Sequence, residues 1–221
     1  MINSPEKINN PLFLELYGAL LGDGWIGRYI NKKKDKEYPY YLLGISGDSR
    51  LDKDYFDFLS HTIGKLFGIH PTIRKKKLEN TIELRAYNEK IVKYLNSELN
   101  FPIGKKGEFK IKREINNEWG KVKHVIRGIF DTDGSIYFDK TPVGRPYPTI
   151  SISITSRPAL KQIRDNLLKQ GFKVQNRKDR PEIKLKGRKQ LEKWMKEIGC
   201  RNNRHFSKYK KFIQGPVAQL G

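Results

Sequence analysis

Two stretches of the chain combine a mostly apolar, helix-like run with an abrupt Asp-Gly pair. The first is LYGALLGDG at 16–24, and the second is IRGIFDTDG at 126–134. Apolar residues that recur at three- and four-residue spacing indicate a helix with a buried face. The pattern therefore predicts two apolar helices, which end at Asp23-Gly24 and at Asp133-Gly134.

The pattern that follows each run is the same in both parts of the chain. Strand-like segments come next, YYLLGIS and PTISISIT, followed by amphipathic helices that end at Gly68 and Gly171. TIELRAY and EIKLKG then alternate apolar and polar residues, which predicts strands with one apolar and one charged face. Short helices around Asn88 to Leu99 and Arg188 to Ile198 complete the order α-β-β-α-β-β-α, twice.

The spacing of the two runs indicates an internal duplication. Asp133 lies 110 residues after Asp23, which is half the length of a chain of 221 residues. We predict a mixed α/β (α+β) fold made of two pseudo-symmetric halves, 1–103 and 124–221, joined by a basic linker at 104–123. The two apolar helices form the central interface, and each half contributes an antiparallel sheet.

Small residues four positions apart mark one side of each apolar helix. These residues are Gly18 and Gly22 in the first helix and Gly128 and Thr132 in the second. Positions i and i+4 share a helix face, and small side chains there let two helix backbones approach closely. Packing through these two strips brings Asp23 and Asp133 together at one end of the helix pair.

A carboxylate at the C-terminal end of a helix is unfavourable, because unpaired carbonyls give that end a partial negative charge. No lysine or arginine accompanies Asp23 in its motif before Arg28. A shared metal ion offsets this cost, and Mg²⁺ typically uses one or two carboxylates together with waters and phosphate oxygens. We therefore predict a metal site at Asp23 and Asp133, with the carbonyls of Gly22 and Thr132 as further ligands.

The composition of the chain indicates a polyanionic binding partner and an intracellular location. The chain has 45 Lys and Arg against 24 Asp and Glu, and its net charge of +21 exceeds what solubility requires. Hydrophobic residues make up 37%, which is enough for a folded core. Cys200 is the single cysteine, which excludes an intrachain disulfide framework and fits the reducing cytoplasm of a prokaryote or an organelle. The longest apolar run is too short to span a membrane, and no secretory pattern opens the chain.

The two nonapeptides resemble the paired motifs of single-chain LAGLIDADG homing endonucleases, and the spacing, charge and element order agree over nearly the whole chain. The sequence departs from the family pattern at Leu21, at Arg127, which replaces a small residue, and at Thr132. The resemblance implies two saddle-shaped antiparallel sheets around the helix pair. It also implies a monomer that cuts both strands of double-stranded DNA across the minor groove, at a long and partly asymmetric target site.

The chemistry that the resemblance implies is metal-dependent hydrolysis of phosphodiester bonds. The expected cofactor is Mg²⁺, with Mn²⁺ as a substitute and Ca²⁺ as an ion that binds without supporting cleavage. Candidates for stabilising developing negative charge are Lys105, Lys106 and Lys208. The family places residues that hold active-site water at strand ends, which here are Gly47, Asp48, Thr155 and Ser156.

Recognition of DNA is assigned to the charged strand faces, because β-ribbons fit the major groove, where base edges are distinguishable. The candidates in the first half are Arg28, Tyr29, Lys32, Lys33, Lys34, Arg74, Lys76 and Arg85. Those in the second half are Tyr137, Lys140, Arg145, Arg177, Lys178, Lys184 and Lys186. Part of this set is expected to touch only phosphates.

Two other function classes use the same scaffold. An RNA-splicing maturase would keep the basic surface and bind intron RNA, and a DNA-binding protein that has lost cleavage would keep recognition alone. The presence of both carboxylates favours an endonuclease. A calcium loop that starts at Asp131 is excluded, because its twelfth position is Pro142 and not a glutamate.

Overall fold

The computed structural model describes residues 7–34, 36–76, 79–140, 146–177 and 179–214, in which one series of helices and strands occurs twice. The elements of the first half are α1 (Pro11–Leu21), β1 (Gly24–Lys33), β2 (Lys36–Asp48), α2 (Lys53–Phe67), β3 (Thr72–Lys75), β4 (Thr81–Tyr87) and α3 (Glu89–Leu99). No helix in the described ranges is both long enough and apolar enough to cross a membrane.

The rest of the described chain repeats this order, with one short helix before the repeated series and one helix after it. Its elements are α4 (Arg113–Asn116), α5 (Trp119–Asp133), β5 (Gly134–Lys140), β6 (Pro146–Ser153), α6 (Arg157–Lys169), β7 (Val174–Asn176), β8 (Glu182–Lys186), α7 (Arg188–Glu197) and α8 (Asn203–Gln214). The order α-β-β-α-β-β-α from α1 to α3 recurs from α5 to α7, so the predicted duplication of elements is confirmed. Helices α4 and α8 are additions that the pattern of the sequence does not predict.

Both halves contain a four-stranded antiparallel sheet with the same strand order, β1-β2-β4-β3 and β5-β6-β8-β7. The register is equivalent as well, because Gly24 pairs with Ile45 and Gly134 pairs with Ile152. Ile26 in β1 and Ile136 in β5 are fully buried and belong to the core formed with the helices. Successive side chains of a strand point to opposite faces, so the residues between these core positions lie on the other face. We call that face the outer face of each sheet.

Helix α1 is buried along almost its whole length, which explains why its sequence is apolar on every side. Every residue from Phe13 to Leu21 is buried. Asn10 caps the helix, because its side chain accepts a hydrogen bond from the backbone N–H of Leu12 at 2.9 Å. Pro11 occupies the first turn, where a missing N–H costs nothing.

Glycines allow α1 and α5 to touch through their backbones. A Cβ at Gly18 would lie 2.2 Å from the carbonyl oxygen of Val125, and a Cβ at Gly128 would lie 2.1 Å from that of Glu15. The two contacts are equivalent, since Val125 is the counterpart of Glu15 in the repeat. Both distances are far below van der Waals contact, so this packing requires glycine at both positions. The geometry agrees with the small-residue strips that the sequence predicts.

The segment at 104–123 is more structured than a linker. It contains α4 and the beginning of α5 at Trp119. Phe109 and Ile115 are buried, and the backbone N–H of Phe109 donates to Oγ of Ser156 at 2.9 Å. This part of the segment therefore packs with the second half, while the division of the chain into 1–103, 104–123 and 124–221 stays a prediction.

Two glycines in the same helix give a matched test of the helix contact. Gly128→Ala is expected to lower the free energy of unfolding by about 1–3 kcal/mol, because its methyl group overlaps the α1 backbone. Gly120→Ala is the control, since nothing lies within 4 Å of a Cβ there, and it should stabilise α5 by about 0.5–1 kcal/mol. Urea denaturation checks both values, and equal effects of the two substitutions would contradict the close packing.

Candidate active site

Two aspartates emerge side by side where the central helices end. Asp23 follows Gly22, the C-cap residue of α1, and Asp133 is the last residue of α5. Both line one cavity of about 380 Å³. Gly22 leaves room for this arrangement, since a Cβ there would lie 2.2 Å from Oδ2 of Asp133. The structure therefore brings together the two carboxylates that the sequence singles out.

The surroundings of the cavity make negative charge costly at both aspartates. The protein atoms around Asp23 displace part of its water, which raises the pKa of Asp23 above its usual value although the side chain opens to the cavity. Burial and the nearby charge of Asp23 raise the pKa of Asp133 to about 7. Lys106 and Arg204 act in the opposite direction on both carboxylates. Each carboxylate therefore gains from a bound proton or a bound cation.

The amine of Lys106 sits at the C-terminal end of α1, between the helix and the aspartates. It donates to the carbonyl oxygens of Leu20 at 3.1 Å and of Leu21 at 3.0 Å, and also to that of Gly22. Burial lowers the pKa of Lys106, whereas the two aspartates raise it. Lys106 thus neutralises the helix end that the sequence analysis assigned to a metal ion.

Arg204 plays the same part at the end of α5. Its guanidinium donates to the carbonyl oxygens of Asp131 at 3.0 Å and of Thr132 at 2.5 Å. A further nitrogen of this group lies 3.2 Å from a carboxylate oxygen of Asp52, which is 4% exposed. Each central helix therefore has a cationic side chain at its C-terminal carbonyls.

Arg204 is not among the predicted site residues, although the repeat carries a signal for it. Lys106 lies seven residues after Leu99, the end of α3, and Arg204 lies seven residues after Glu197, the end of α7. The predicted residue in this segment, Lys208, lies one helical turn later and is exposed on α8. The equal distance from the end of each repeat identifies Arg204 as the counterpart of Lys106.

Most of the remaining catalytic and water-holding candidates lie outside the described lining of the cavity. Lys105 is exposed, and neither Lys105 nor Lys208 is part of that lining. Thr155 does line the cavity. Ser156 is fully buried and has a structural role, because its hydroxyl donates to the carbonyl oxygen of Phe109 at 2.6 Å.

The strand-end candidates of the first half are occupied by local contacts. Asp48 forms an ion pair with Arg50 at 3.2 Å and accepts the backbone N–H of Arg50 at 2.7 Å. Gly47 packs tightly, since a Cβ there would lie 2.7 Å from the ring of Phe56 and 2.8 Å from Asp52. A role for Gly47 or Asp48 in holding water stays a prediction.

The two carbonyls predicted as metal ligands have other partners. The Gly22 oxygen accepts from Lys106, and the Thr132 oxygen accepts from Arg204. Among the described residues, no group of three or more His, Cys, Asp or Glu side chains is placed to hold a metal. A metal ion here would therefore rely on the carboxylates of Asp23 and Asp133, with water and substrate as the other ligands.

A network of buried charges lies behind the site and joins the two halves. Glu15 in α1 is fully buried and pairs with Arg127 and Arg201, each at 2.7 Å. Asp131 accepts the backbone N–H groups of Arg201 at 2.9 Å and of Asn202 at 3.1 Å. Arg127, where the sequence departs from the family motif, is thus the ion-pair partner of a buried carboxylate.

The register separates the DNA-contact candidates of the first half into two groups. Tyr29, Lys33, Arg74, Lys76 and Arg85 occupy positions on the outer face. Arg28 and Lys32 alternate with them, on the face that carries the buried Ile26, and Lys34 follows β1 with a φ of 43°. The outer-face group is therefore the one that the strand geometry presents together.

In the second half four candidates share the outer face, namely Tyr137, Arg177, Lys184 and Lys186. Lys184 also lies over the ring of Tyr137, with its amine 5.3 Å from the ring centre. Arg145 and Lys178 fall outside the described residues, as does the side chain of Lys140. The roles of all these residues in DNA binding stay predictions.

The raised pKa of Asp133 predicts that its charge destabilises the metal-free protein. The carboxyl group titrates near 3.8 when unfolded and at about 7 when folded, so stability is lost as pH rises between these values. In EDTA, Asp133→Asn should raise the free energy of unfolding by about 2 kcal/mol at pH 8 and by less at pH 5. Urea denaturation measures both, with the exposed pair residue Asp165→Asn as control. A lower stability of Asp133→Asn at pH 8 would contradict this.

Comparison with known proteins supports the resemblance inferred from the sequence. Residues 121–206 match the family model described as a LAGLIDADG-like domain. No curated protein sequence gives a significant match. The matched region begins in α5 and includes its terminal Asp133, so it covers the second copy of the repeated motif.

Three solved structures share the fold over most of both chains. I-SmaMI bound to an uncleaved DNA target in the presence of calcium ions aligns with a TM-score of 0.61 and 11% identity, over 96% of this chain and 94% of that one. I-DmoI in complex with DNA and Mn aligns with a TM-score of 0.57 and 19% identity, over 86% of this chain and 96% of that one. The LAGLIDADG homing endonuclease I-LtrWI bound to target DNA aligns with a TM-score of 0.54 and 16% identity, over 92% of this chain and 89% of that one. The chain therefore contains a LAGLIDADG-like domain at residues 121–206 and has, across both halves, the fold of single-chain LAGLIDADG homing endonucleases.

Proposed function

We propose that the protein is a site-specific endonuclease that hydrolyses phosphodiester bonds in both strands of double-stranded DNA with divalent metal ions. The observation that carries this proposal is the convergence of Asp23, Asp133 and Lys106 on one cavity, at the ends of two closely packed helices. The solved relatives with this fold were bound to DNA, in the presence of calcium ions or Mn in two cases.

The donor set of the cavity fits a divalent cation. Asp23 and Asp133 offer carboxylates whose pKa values are raised, so a nearby cation relieves an unfavourable charge. Mg²⁺ accepts such a small set of protein oxygens because it keeps several waters and binds substrate phosphates, and Mn²⁺ takes similar ligands. When bound, such an ion supplies an activated water and stabilises the oxygen that leaves the phosphate.

Lys106 contributes its charge and not a free donor. An ammonium group has three N–H donors, and the carbonyls of Leu20, Leu21 and Gly22 accept from it. The positive charge is therefore held at a fixed place beside both carboxylates. Such a fixed charge stabilises the negative charge that develops on a phosphate during hydrolysis.

Arg204 holds the second half of the site in the same way. By donating to the carbonyls of Asp131 and Thr132 it fixes the end of α5, from which Asp133 enters the cavity. The two halves thus use a lysine and an arginine at equivalent places. Arginine stays charged and binds through a rigid fork, whereas lysine is a compact point charge, so the two strands of the DNA meet different surroundings.

The outer faces of the two sheets are the proposed DNA-binding surface. Equivalent positions differ between the halves, since Tyr29 corresponds to Asp139 and Arg85 corresponds to Lys184. Because one chain supplies both halves, a monomer is the active unit and its target is only partly symmetric. Phosphate contacts provide most of the affinity on this basic surface, and contacts with base edges provide the specificity.

Removal of either carboxylate tests the assignment of the site. Asp23→Asn or Asp133→Asn should reduce cleavage at least about 100-fold in Mg²⁺, because each removes a negative oxygen that would hold the ion. DNA binding measured in Ca²⁺ should change little. The substrate is a plasmid library with randomised sites, read by sequencing of cut ends, and Asp165→Asn is the control. Full cleavage by either variant would show that the carboxylates are not the catalytic pair.

Substitution of the adjacent Lys105 and Lys106 distinguishes a specific role of Lys106 in the site from a general effect of lost positive charge. Lys106→Met should slow cleavage by about 100-fold or more at unchanged DNA binding, because it removes the fixed charge beside the aspartates. Lys105→Met removes the same charge from an exposed position and should keep most of the activity. Single-turnover cleavage of the selected site compares the two variants, and equal rates would argue against the role of Lys106.

A further inference from the structure

One buried glutamate lies on the outer face of each sheet, among the basic candidates for DNA contact. Glu83 in β4 is 7% exposed, and Glu182 in β8 is 5% exposed. Their positions are equivalent, because Glu83 pairs with Ser46 in β2 and Glu182 pairs with Ser153 in β6. A buried carboxylate at the same place in both halves of a basic protein requires an explanation.

Both oxygens of Glu83 are engaged by cationic side chains. Nε and Nη2 of Arg85 donate to Oε2 at 3.0 Å and 2.6 Å, and the amine of Lys76 lies 3.1 Å from Oε1. Burial acts to raise the pKa of Glu83, but the hydrogen bonds from Lys76 and Arg85 outweigh it and lower the pKa. The carboxylate is therefore ionised at neutral pH and holds two basic groups in place.

Glu182 repeats the arrangement with different partners. Nε of Arg180 lies 2.8 Å from Oε2. Nε of Arg177 lies 4.0 Å from the same oxygen, but the guanidinium of Arg177 donates to Asp179, from Nε at 2.9 Å and from Nη2 at 2.7 Å. The amine of Lys184 lies 3.8 Å from Oε1. The basic residues thus differ between the halves, while the glutamate at their centre is the same.

A carboxylate among these basic groups changes what they can bind. An unpaired arginine on a surface contacts any phosphate, whereas Arg85 has two of its nitrogens directed at Glu83 and keeps its remaining donors in one orientation. An oriented guanidinium matches the two acceptors of a guanine edge and loses less side-chain entropy on binding. The negative charge of Glu83 also repels phosphates, which weakens contacts that carry no sequence information.

We infer that Glu83 and Glu182 are positioning residues for sequence recognition. Each orients the basic side chains that it holds towards base edges, Lys76 and Arg85 in the case of Glu83 and Arg180 in the case of Glu182. Each also lowers the affinity for unrelated DNA. The inference rests on the proposed function, since it assigns the outer faces to a DNA duplex. A negatively charged side chain thus contributes to the recognition of DNA without contacting it, by orienting the basic side chains next to it.

The test uses a pool of DNA duplexes with a randomised target, selected in Ca²⁺ by the wild-type protein and by Glu83→Gln. The variant should lose about 5-fold to 100-fold discrimination at the base pair that Arg85 reads. Its affinity for scrambled duplexes should rise, and the slope of log K against log salt should steepen by about 0.9 for each phosphate newly neutralised. The base pairs under the second half should be read as before.

Glu89→Gln is the matched control. Glu89 pairs with Lys93 at 2.6 Å on α3, away from the outer face, and its substitution adds the same unit of positive charge. Discrimination should stay at the wild-type level in this variant. In the Arg85→Ala background, Glu83→Gln should have no additional effect at the affected base pair, because a positioning residue acts only through the group that it positions.

Three outcomes overturn the inference. The first is equal discrimination by wild type and a folded Glu83→Gln. If Glu83→Gln does not fold, Glu182→Gln and Arg85→Lys replace it. Arg85→Lys keeps the charge but lacks the two-pronged guanidinium, so retained discrimination in this variant is the second outcome. A loss in Glu89→Gln equal to that in Glu83→Gln is the third. Absence of DNA binding by the wild-type protein would instead overturn the proposed function itself.

Discussion

The backbone contact between α1 and α5 determines where the other parts of the molecule lie. Because neither Gly18 nor Gly128 has a Cβ, each helix rests directly on carbonyl groups of the other, and the two helix ends are held side by side. The chain then turns at once into a strand. A Cβ at Gly24 would lie 2.5 Å from Cα of Leu20, and one at Gly134 would lie 2.3 Å from the carbonyl oxygen of Phe130. The sheets therefore begin next to the aspartates, and their outer faces extend from the cavity.

The carboxylates of the helix pair form two groups, an inner one that is paired with arginines and an outer one at the cavity. In the inner group Glu15 is fully enclosed and has two arginine partners, so its carboxylate is satisfied and joins the halves. In the outer group Asp23 and Asp133 repel each other, and the cations next to them are already bonded to helix carbonyls. The first arrangement favours stability, while the second leaves negative charge that a ligand can neutralise. The enclosed Glu15 and the cavity-lining Asp23 are thus eight residues apart, which is about two turns of helix.

Features that depend on local pattern were predictable from the sequence. The repeated order of elements, the antiparallel sheets and the glycine strips follow from apolar periodicity and from the Asp-Gly pairs, and the same spacing identified both aspartates. Contacts between distant segments were not predictable in this way. Arg204 reaches α5 from beyond α7, and only its place relative to the end of the repeat, which matches that of Lys106, distinguishes it from Lys208. The faces of Arg28 and Tyr29 were also undetermined, because β1 beyond Gly27 is exposed and its apolar alternation fades.

The contacts between the two halves also have a consequence for synthesis of the protein. Helix α1 packs against α5, and Glu15 and Asp52 in the first half bind Arg201 and Asn202 near the end of the second. Nearly one hundred residues separate the end of α1 at Leu21 from the start of α5 at Trp119. At typical translation rates α1 waits on the order of 5–20 s for its partner, with its apolar surface incompletely covered. The apolar surface of α1 that α5 covers in the folded protein is therefore open to contacts with other chains during this interval.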